Sequence, residues 1–342
     1  MGVRISLDDL RELIVRALTN SKVADDIAGV VADALVAAEA DGIASHGAAR
    51  VPPYAEQALC GKVDGYARPT IERSARAVIN VDSNIGFAFP AITLGVEAAV
   101  EAVKETGMVA LGISHSHHFG VAGHHVERLA EAGLVGMAFS NTPSAIAPWG
   151  GKTALYGTNP IAFAWPRPDT PPNDAPLVID LSVSTVARGK VVLAEKQGTP
   201  IPDDWALDTD GKATTDAKAG LAGSMAPLGG TTAGAKGAAL GMMIELLCGA
   251  LTGSNFGYQG SSFFEPTGAP PSIGHLILVF DPNVFGGAKN FAARGEALFS
   301  EILAQEGTRL PGDRRLTLRQ TAARDGVELP DALHADLIRR AG

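Results

Sequence analysis

Short runs of aliphatic and β-branched residues recur from about residue 72 onward, with alanine-rich stretches between them. ARAVINVD, GMVALGIS, GLVGMAFS and APLVIDLS come first, HLILVFDP follows later, and residues 92 to 105 typify the intervening stretches. Runs of this length read as strands and the stretches between them as helices, so their alternation implies helices layered on a sheet. The expected class is α/β. The chain opens differently. Ser6 is placed to cap a first helix with Asp8 and Asp9 in its first turn and Leu10, Leu13, Ile14 and Ala17 on its inner face. Val23, Ile27, Val30, Val31, Ala34, Leu35 and Ala38 continue a helical stripe over residues 22 to 41. Residues 197 to 232, rich in Gly, Thr, Asp and Pro, read as a long surface excursion. The helix AKGAALGMMIELLCGALTG that follows is expected to be buried nearly all round except near Glu245. From about 284 the chain reads as helical again, interrupted by RLPGDRR.

A chain of 342 residues, 46% of them hydrophobic, is long enough for two domains with a sizeable core. Its net charge of -9 disfavours nucleic acid or an anionic membrane as partner, since either would repel the surface as a whole. No run reaches the about 20 apolar residues of a membrane span, and charges interrupt the N-terminal apolar positions, so no secretory signal is expected. Cys60 and Cys248 form no CxxC spacing, which fits a reducing, cytoplasmic setting.

No two glycines are spaced as GxG, which excludes the dinucleotide fingerprint of a Rossmann fold. Gly229 and Gly234 start a P-loop spacing, but Ala235 stands where its lysine belongs and Lys236 comes one residue late.

Two segments carry candidate chemistry. DGIASHGAARVPPY sets Ser45 beside His46, with Arg50 four residues on and Tyr54 four beyond that. Arginine grips a carboxylate with two parallel hydrogen bonds, and a nearby imidazole can exchange a proton with an adjacent carbonyl or hydroxyl. The pair suits a 2-oxo acid; the competing reading is a helix-ending loop whose charges only cap and pair. HSHHFGVAGHH gathers His115, His117, His118, His124 and His125. Zinc would need three or four converging side chains, and here cysteine is absent and the nearest acid is Glu127, so no metal is assigned. One imidazole polarising a carbonyl, or a hydrated turn with no chemistry, both remain open on spacing alone.

The ordered motifs SHGxxRxPxY, SHHFGxAG, SNTPSAIAPWGG, LYGTNPIAF, VIDLSVSTVARGK, PLGG with AKG, and RLPGDRR resemble the type-2 malate/L-lactate dehydrogenase family from about residue 7 to 330. The resemblance implies a non-Rossmann NAD(P)-binding sheet domain, residues 76 to 284, and a helical domain built from both chain ends, residues 1 to 75 and 285 to 342. It also implies a homodimer and hydride exchange between NAD or NADP and a small carboxylate substrate, a 2-oxo or 2-hydroxy acid. His46 then matches the proton donor, Ser45 its orienting partner, and His118 a second acid/base or electrophile. Arg50 matches the carboxylate clamp, and Tyr54 and Thr158 match pocket contacts. Ser144, Asp180, Leu181, Ser182, Lys236, Gly312, Asp313 and Arg314 fall on cofactor segments. Lys190, in ARGK, stands where the imine-reducing branch carries an aspartate, which favours a carbonyl over a cyclic imine carboxylate as substrate.

Overall fold

The computed structural model describes residues 2 to 167 and 175 to 342. A seven-stranded sheet forms its centre. Across the sheet the strands run Thr70–Ala75, Val78–Asp82, Met108–Ser116, Ile273–Phe280, Val135–Ser140, Ile161–Trp165 and Leu177–Leu181. Only Val78–Asp82 and Met108–Ser116 pair in parallel; the other neighbours are antiparallel. That parallel pair needs a crossover, and the helix Ala88–Thr106 supplies it.

Small residues decide how closely the helices approach. Gly136, Ala138, Ala162 and Ala164 lie on the face covered by the helix Ala122–Glu131, and a Cβ at Gly136 would come within 2.9 Å of Leu129. On the opposite face Phe139, Leu276 and their neighbours pack with Ile244 and Cys248. The expected runs all became strands, and Thr70–Ala75 and Ile161–Trp165 were added to them.

The chain ends meet in a second layer. The strand Gly2–Ile5 pairs antiparallel with Val327–Pro330. Ser6 accepts from the Asp9 amide at 3.1 Å and starts the helix Leu7–Thr19, as read from sequence. Leu10, Leu13, Ile14 and Ala17 then share one core with the helix Asp25–Ala40, with Tyr54 and Phe87, and with Ala322, Leu337 and Ala341 from the far end. The helix Phe291–Leu303 belongs elsewhere. It buries Phe299 against Leu177 and Leu310, with Trp165 beside them, on the edge of the sheet.

One expectation is reversed. Glu245 was read as the exposed exception on a buried helix, yet it is only 4% exposed, while Met242 is 48% and Leu246 54% exposed. The carboxylate is buried because it serves four donors. One oxygen receives Gly157 N at 3.1 Å and Asn159 Nδ2 at 2.9 Å; the other receives Asn141 Nδ2 at 3.1 Å and Gly257 N at 2.8 Å. A single acid thus ties together three loops, one of which contains Thr158. Glu245→Gln puts an amide among four donors and should lower unfolding stability by about 3 kcal/mol. A urea midpoint equal to that of the parent protein would contradict this role.

Candidate active site

The turn between the helices Asp25–Ala40 and Val51–Cys60 carries Ser45, His46 and Arg50, and its shape is fixed from below. Gly42 has φ +73°, the left-handed region that favours glycine. The buried Glu39 accepts the Ala48 amide at 2.8 Å, and a Cβ at Gly47 would overlap the Glu39 carboxylate. Glycine at 47 therefore lets the turn close on Glu39.

Ser45 Oγ lies 3.0 Å from His46 Nδ1, so that bond engages Nδ1 of the ring and not Nε2. The His46 ring centre is 5.2 Å from that of His118. His118 is buried, and its Nδ1 lies 2.6 Å from the Tyr54 hydroxyl. Burial keeps the Tyr54 phenol protonated by pushing its pKa up. Arg50 is also buried; its Nε donates to Ser45 O at 2.7 Å, and its Nη1 has no partner among the described residues. A buried guanidinium nitrogen with no partner is costly, which makes Nη1 a candidate to take an acceptor from a ligand. Four of the expected residues, His46, Arg50, Tyr54 and His118, thus lie together, with Ser45 beside His46.

The histidine run does not converge on one point. His117 Nε2 lies 2.7 Å from Gln57 Oε1, His124 Nε2 lies 2.8 Å from Asp41, His125 Nε2 donates to Phe119 O at 2.7 Å, and His115 lies 2.9 Å from Asp82. Among the described residues no three of His, Cys, Asp and Glu are grouped to hold a metal.

Burial depresses several of these rings. Desolvation, then Arg50, then His124 pull His46 down to about 3; desolvation and nearby cations hold His117 at about 3, and desolvation chiefly holds His125 at about 4. His118 and His275 lie well below the ordinary imidazole value of 6.5 for the same leading reason. Unfolding returns the rings to about 6.5, so below that pH the unfolded chain takes up protons that the folded chain refuses. Their stabilising contribution is complete above about pH 6.5 and is lost toward pH 4, at up to about 1.4 kcal/mol per pH unit for each fully buried ring. The Glu39, Glu131 and Asp180 carboxyls, raised chiefly by burial, work in the opposite direction but are three groups against five. The urea midpoint should fall between pH 7.5 and pH 5; equal midpoints would contradict neutral buried rings.

The cofactor candidates lie on and beyond the edge strand Leu177–Leu181. Asp180 is exposed overall, while desolvation of its carboxyl raises the pKa and the Gly123 amide donates to it at 2.7 Å. The Gly312 position approaches Val178 of the same strand, where a Cβ would stand 3.5 Å from Val178 O. Asp313 closes that loop by accepting the Leu310 amide at 3.0 Å, and Arg314 is exposed. In the other direction, Ser182 Oγ lies 2.9 Å from Ser184, which bridges to Pro227 in the PLGG turn. Lys236, exposed, begins the next helix, Ala235–Glu245. That turn and residues 147 to 152 line a recess of about 570 Å³. Leu181 is exposed on the edge strand, the exposed Ser144 donates its amide to Gly257 O at 2.9 Å, and the Thr158 amide donates to Thr142 Oγ1 at 3.0 Å.

Lys190 lies on the sheet side of the chain, near Trp205. It is exposed near the start of the helix Arg188–Gln197, with its ammonium 5.9 Å from the centre of the Trp205 ring. Among the described residues it makes no contact with Arg50 or His46.

Sequence reasoning missed an ion network beneath the site. Arg319 donates to Asp41 at 2.8 Å and Glu127 at 3.0 Å, and Arg315 reaches Glu127 at 3.1 Å. Burial alone would raise Asp41, but hydrogen bonds from His124 and Arg319 hold its carboxyl below the usual range. Arg315, the last residue of RLPGDRR, and the Asp preceding Gly42 were the available signals, and neither named its partner.

The family model for malate/L-lactate dehydrogenase matches residues 5–338. The chain belongs to that family, and it is an oxidoreductase. It is 55% identical, over 98% of each chain, to a (2R)-3-sulfolactate dehydrogenase (NADP(+)) from Chromohalobacter salexigens. It is 40% identical, over 98% of this chain and 97% of the other, to Delta(1)-pyrroline-2-carboxylate reductase 1 of Burkholderia ambifaria. Among solved structures, delta1-piperideine-2-carboxylate reductase from Pseudomonas syringae pvar. tomato superposes with a TM-score of 0.90 over 99% of both chains at 34% identity.

Proposed function

We propose that this family member interconverts a 2-oxo acid and its 2-hydroxy acid with NADP(H), and that its substrate carries a second anionic group, as 3-sulfolactate does. The observation that carries the reading is the buried, unpartnered Nη1 of Arg50 beside His46 and His118. The name of the 55% identical relative supports the substrate class and the cofactor. Arg50 receives the 1-carboxylate, and His46, oriented by Ser45, exchanges a proton with the C2 oxygen. The Tyr54 hydroxyl donates to His118 Nδ1, which puts the ring hydrogen on Nε2, where it polarises the same oxygen. NADPH supplies the hydride when bound. A neutral His46 is poised as a base for hydroxy-acid oxidation. In the reducing direction the substrate carboxylate offsets the Arg50 charge that depresses the ring, which restores some of its basicity.

For the cofactor, Asp180, Leu181, Ser182, Gly312, Asp313 and Arg314 form one end of the proposed site and Ser144 and Lys236 the other. Backbone amides and the two cationic side chains would receive phosphate oxygens. Thr158 is assigned to the pocket, and Lys190 is withdrawn from the charge argument. Within the chain we place the return to the helical layer at Asp313 rather than 285, because Phe291–Leu303 packs on the sheet.

A homodimer is the assembly we infer. Ala235, Ala239, Met242, Met243, Leu246 and Ala250 form an exposed apolar stripe at helical spacing, of the kind a second copy covers. A cytoplasmic setting agrees with two unpaired cysteines. Among the described residues no helix is long and apolar enough to cross a membrane.

The test is a panel of initial rates with sulfopyruvate, oxaloacetate, pyruvate and pyrroline-2-carboxylate, each with NADPH and NADH. The dianionic 2-oxo acids with NADPH should give the highest kcat/KM. A higher value for pyrroline-2-carboxylate would replace this reading with imine reduction.

A further inference from the structure

We infer that Phe264 is a specificity-determining wall of the substrate pocket and that Lys62 is the positioning residue that holds it there, an inference that rests on the clamp role proposed for Arg50. Lys62 follows the helix Val51–Cys60 and is only 3% exposed. Its ammonium donates to Ser262 O at 2.6 Å, Glu265 O at 2.7 Å and Thr267 O at 2.8 Å. An ammonium carries three hydrogens, and all of them go to one short loop. Gln57, from the same helix, donates to Phe263 O at 2.7 Å, and Cys60 Sγ reaches Pro266 O at 3.1 Å. The end of the helix therefore grips residues 262 to 267 almost carbonyl by carbonyl.

The gripped loop touches the chemistry through two rings. Phe263 is centred 5.0 Å from His118 and 5.3 Å from His117. Phe264 lies under the guanidinium of Arg50, 4.5 Å from its carbon, and is itself 55% exposed. A guanidinium stacks on an aromatic face but takes a carboxylate in its own plane. Phe264 thus blocks one face of Arg50 and leaves the edge, where Nη1 is unpartnered, for the ligand. The exposed part of the ring then bounds the space beside the clamp, where the substituent on C3 of a 2-oxo acid must fit. A compact substituent passes; an aromatic one collides.

Full-length enzyme with NADPH decides the matter through three variants, Phe264→Ala, Lys62→Met and Lys62→Arg. For each, kcat and KM are measured with the best small 2-oxo acid and with phenylpyruvate, together with the NADPH dissociation constant from fluorescence. Phe264→Ala should raise the phenylpyruvate to small-acid ratio of kcat/KM by about tenfold or more. It should do so with a higher KM for the small acid and unchanged NADPH binding. Lys62→Met should move the ratio the same way, because the loop loses its anchor, and Lys62→Arg should recover part of the change. An unchanged ratio in Phe264→Ala overturns the inference, and that variant alters an exposed side chain, so folding does not stand in the way. Equal loss for both acids in Lys62→Met overturns the positioning role of Lys62. If the parent enzyme reduces no 2-oxo acid, the functional reading fails and takes this inference with it; turnover by the parent with an unchanged ratio overturns the inference alone.

Discussion

Replacing His46 by alanine should lower kcat for 2-oxo acid reduction by about 10²- to 10⁴-fold, the usual contribution of a positioned general acid. NADPH affinity should stay within a few-fold, because His46 lies on the turn Ala44–His46 while the proposed cofactor path runs through Asp180 and Gly312. The depressed imidazole pKa gives a second readout. In kcat/KM for hydroxy-acid oxidation, the acidic limb assigned to His46 should lie below the ordinary 6.5 and should vanish in the alanine variant. Turnover within a few-fold of the parent enzyme would move the proton donor elsewhere, with His118 next in line.

Arg50→Lys should cost about 10²-fold in kcat/KM, most of it as a higher KM. Lysine keeps the charge but loses the planar fork, and it loses the Nε bond to Ser45 O that orients the group. It also loses the stack on Phe264, so the substituted ammonium has no fixed direction. The change in KM separates this role from that of His46, whose loss acts on kcat. An unchanged KM for the best acid would make Arg50 a structural residue that caps Ser45 O and packs on Phe264.

The division between what the sequence reveals and what it hides follows the range of the interactions. The Ser6 cap, the stripe of Leu10, Leu13, Ile14 and Ala17, and the five strand runs are local signals, and all are present in the fold. The turn at Ser45, His46 and Arg50 was legible for the same reason: its members lie within ten residues of one another. Convergence of Tyr54 with His118 spans 64 positions and became an expectation only through family resemblance. Glu245 was misread because a lone acid on an apolar helix looks like the side facing water, when its four donors come from residues 141 to 257. The exposed stripe of Met242 and Leu246 is the other half of that error, since hydrophobicity marks a surface to be covered without saying what covers it. Lys190 is exposed beside Trp205, since position in a motif does not fix where a long flexible side chain reaches. Arg319 and Lys62 were invisible because their partners, Asp41 in one case and three main-chain carbonyls in the other, are set only by the tertiary fold.

The central claim is hydride transfer from nicotinamide C4 to C2 of a 2-oxo acid held by Arg50. Incubation of the enzyme with sulfopyruvate and NADPH stereospecifically deuterated at C4 tests it directly by mass spectrometry of the product. The account predicts that one of the two C4 epimers yields 2-hydroxy acid with a single deuterium at C2, and that the other yields unlabelled product. Reduced product without deuterium from either epimer would contradict it, as would absence of any reduction of a 2-oxo acid.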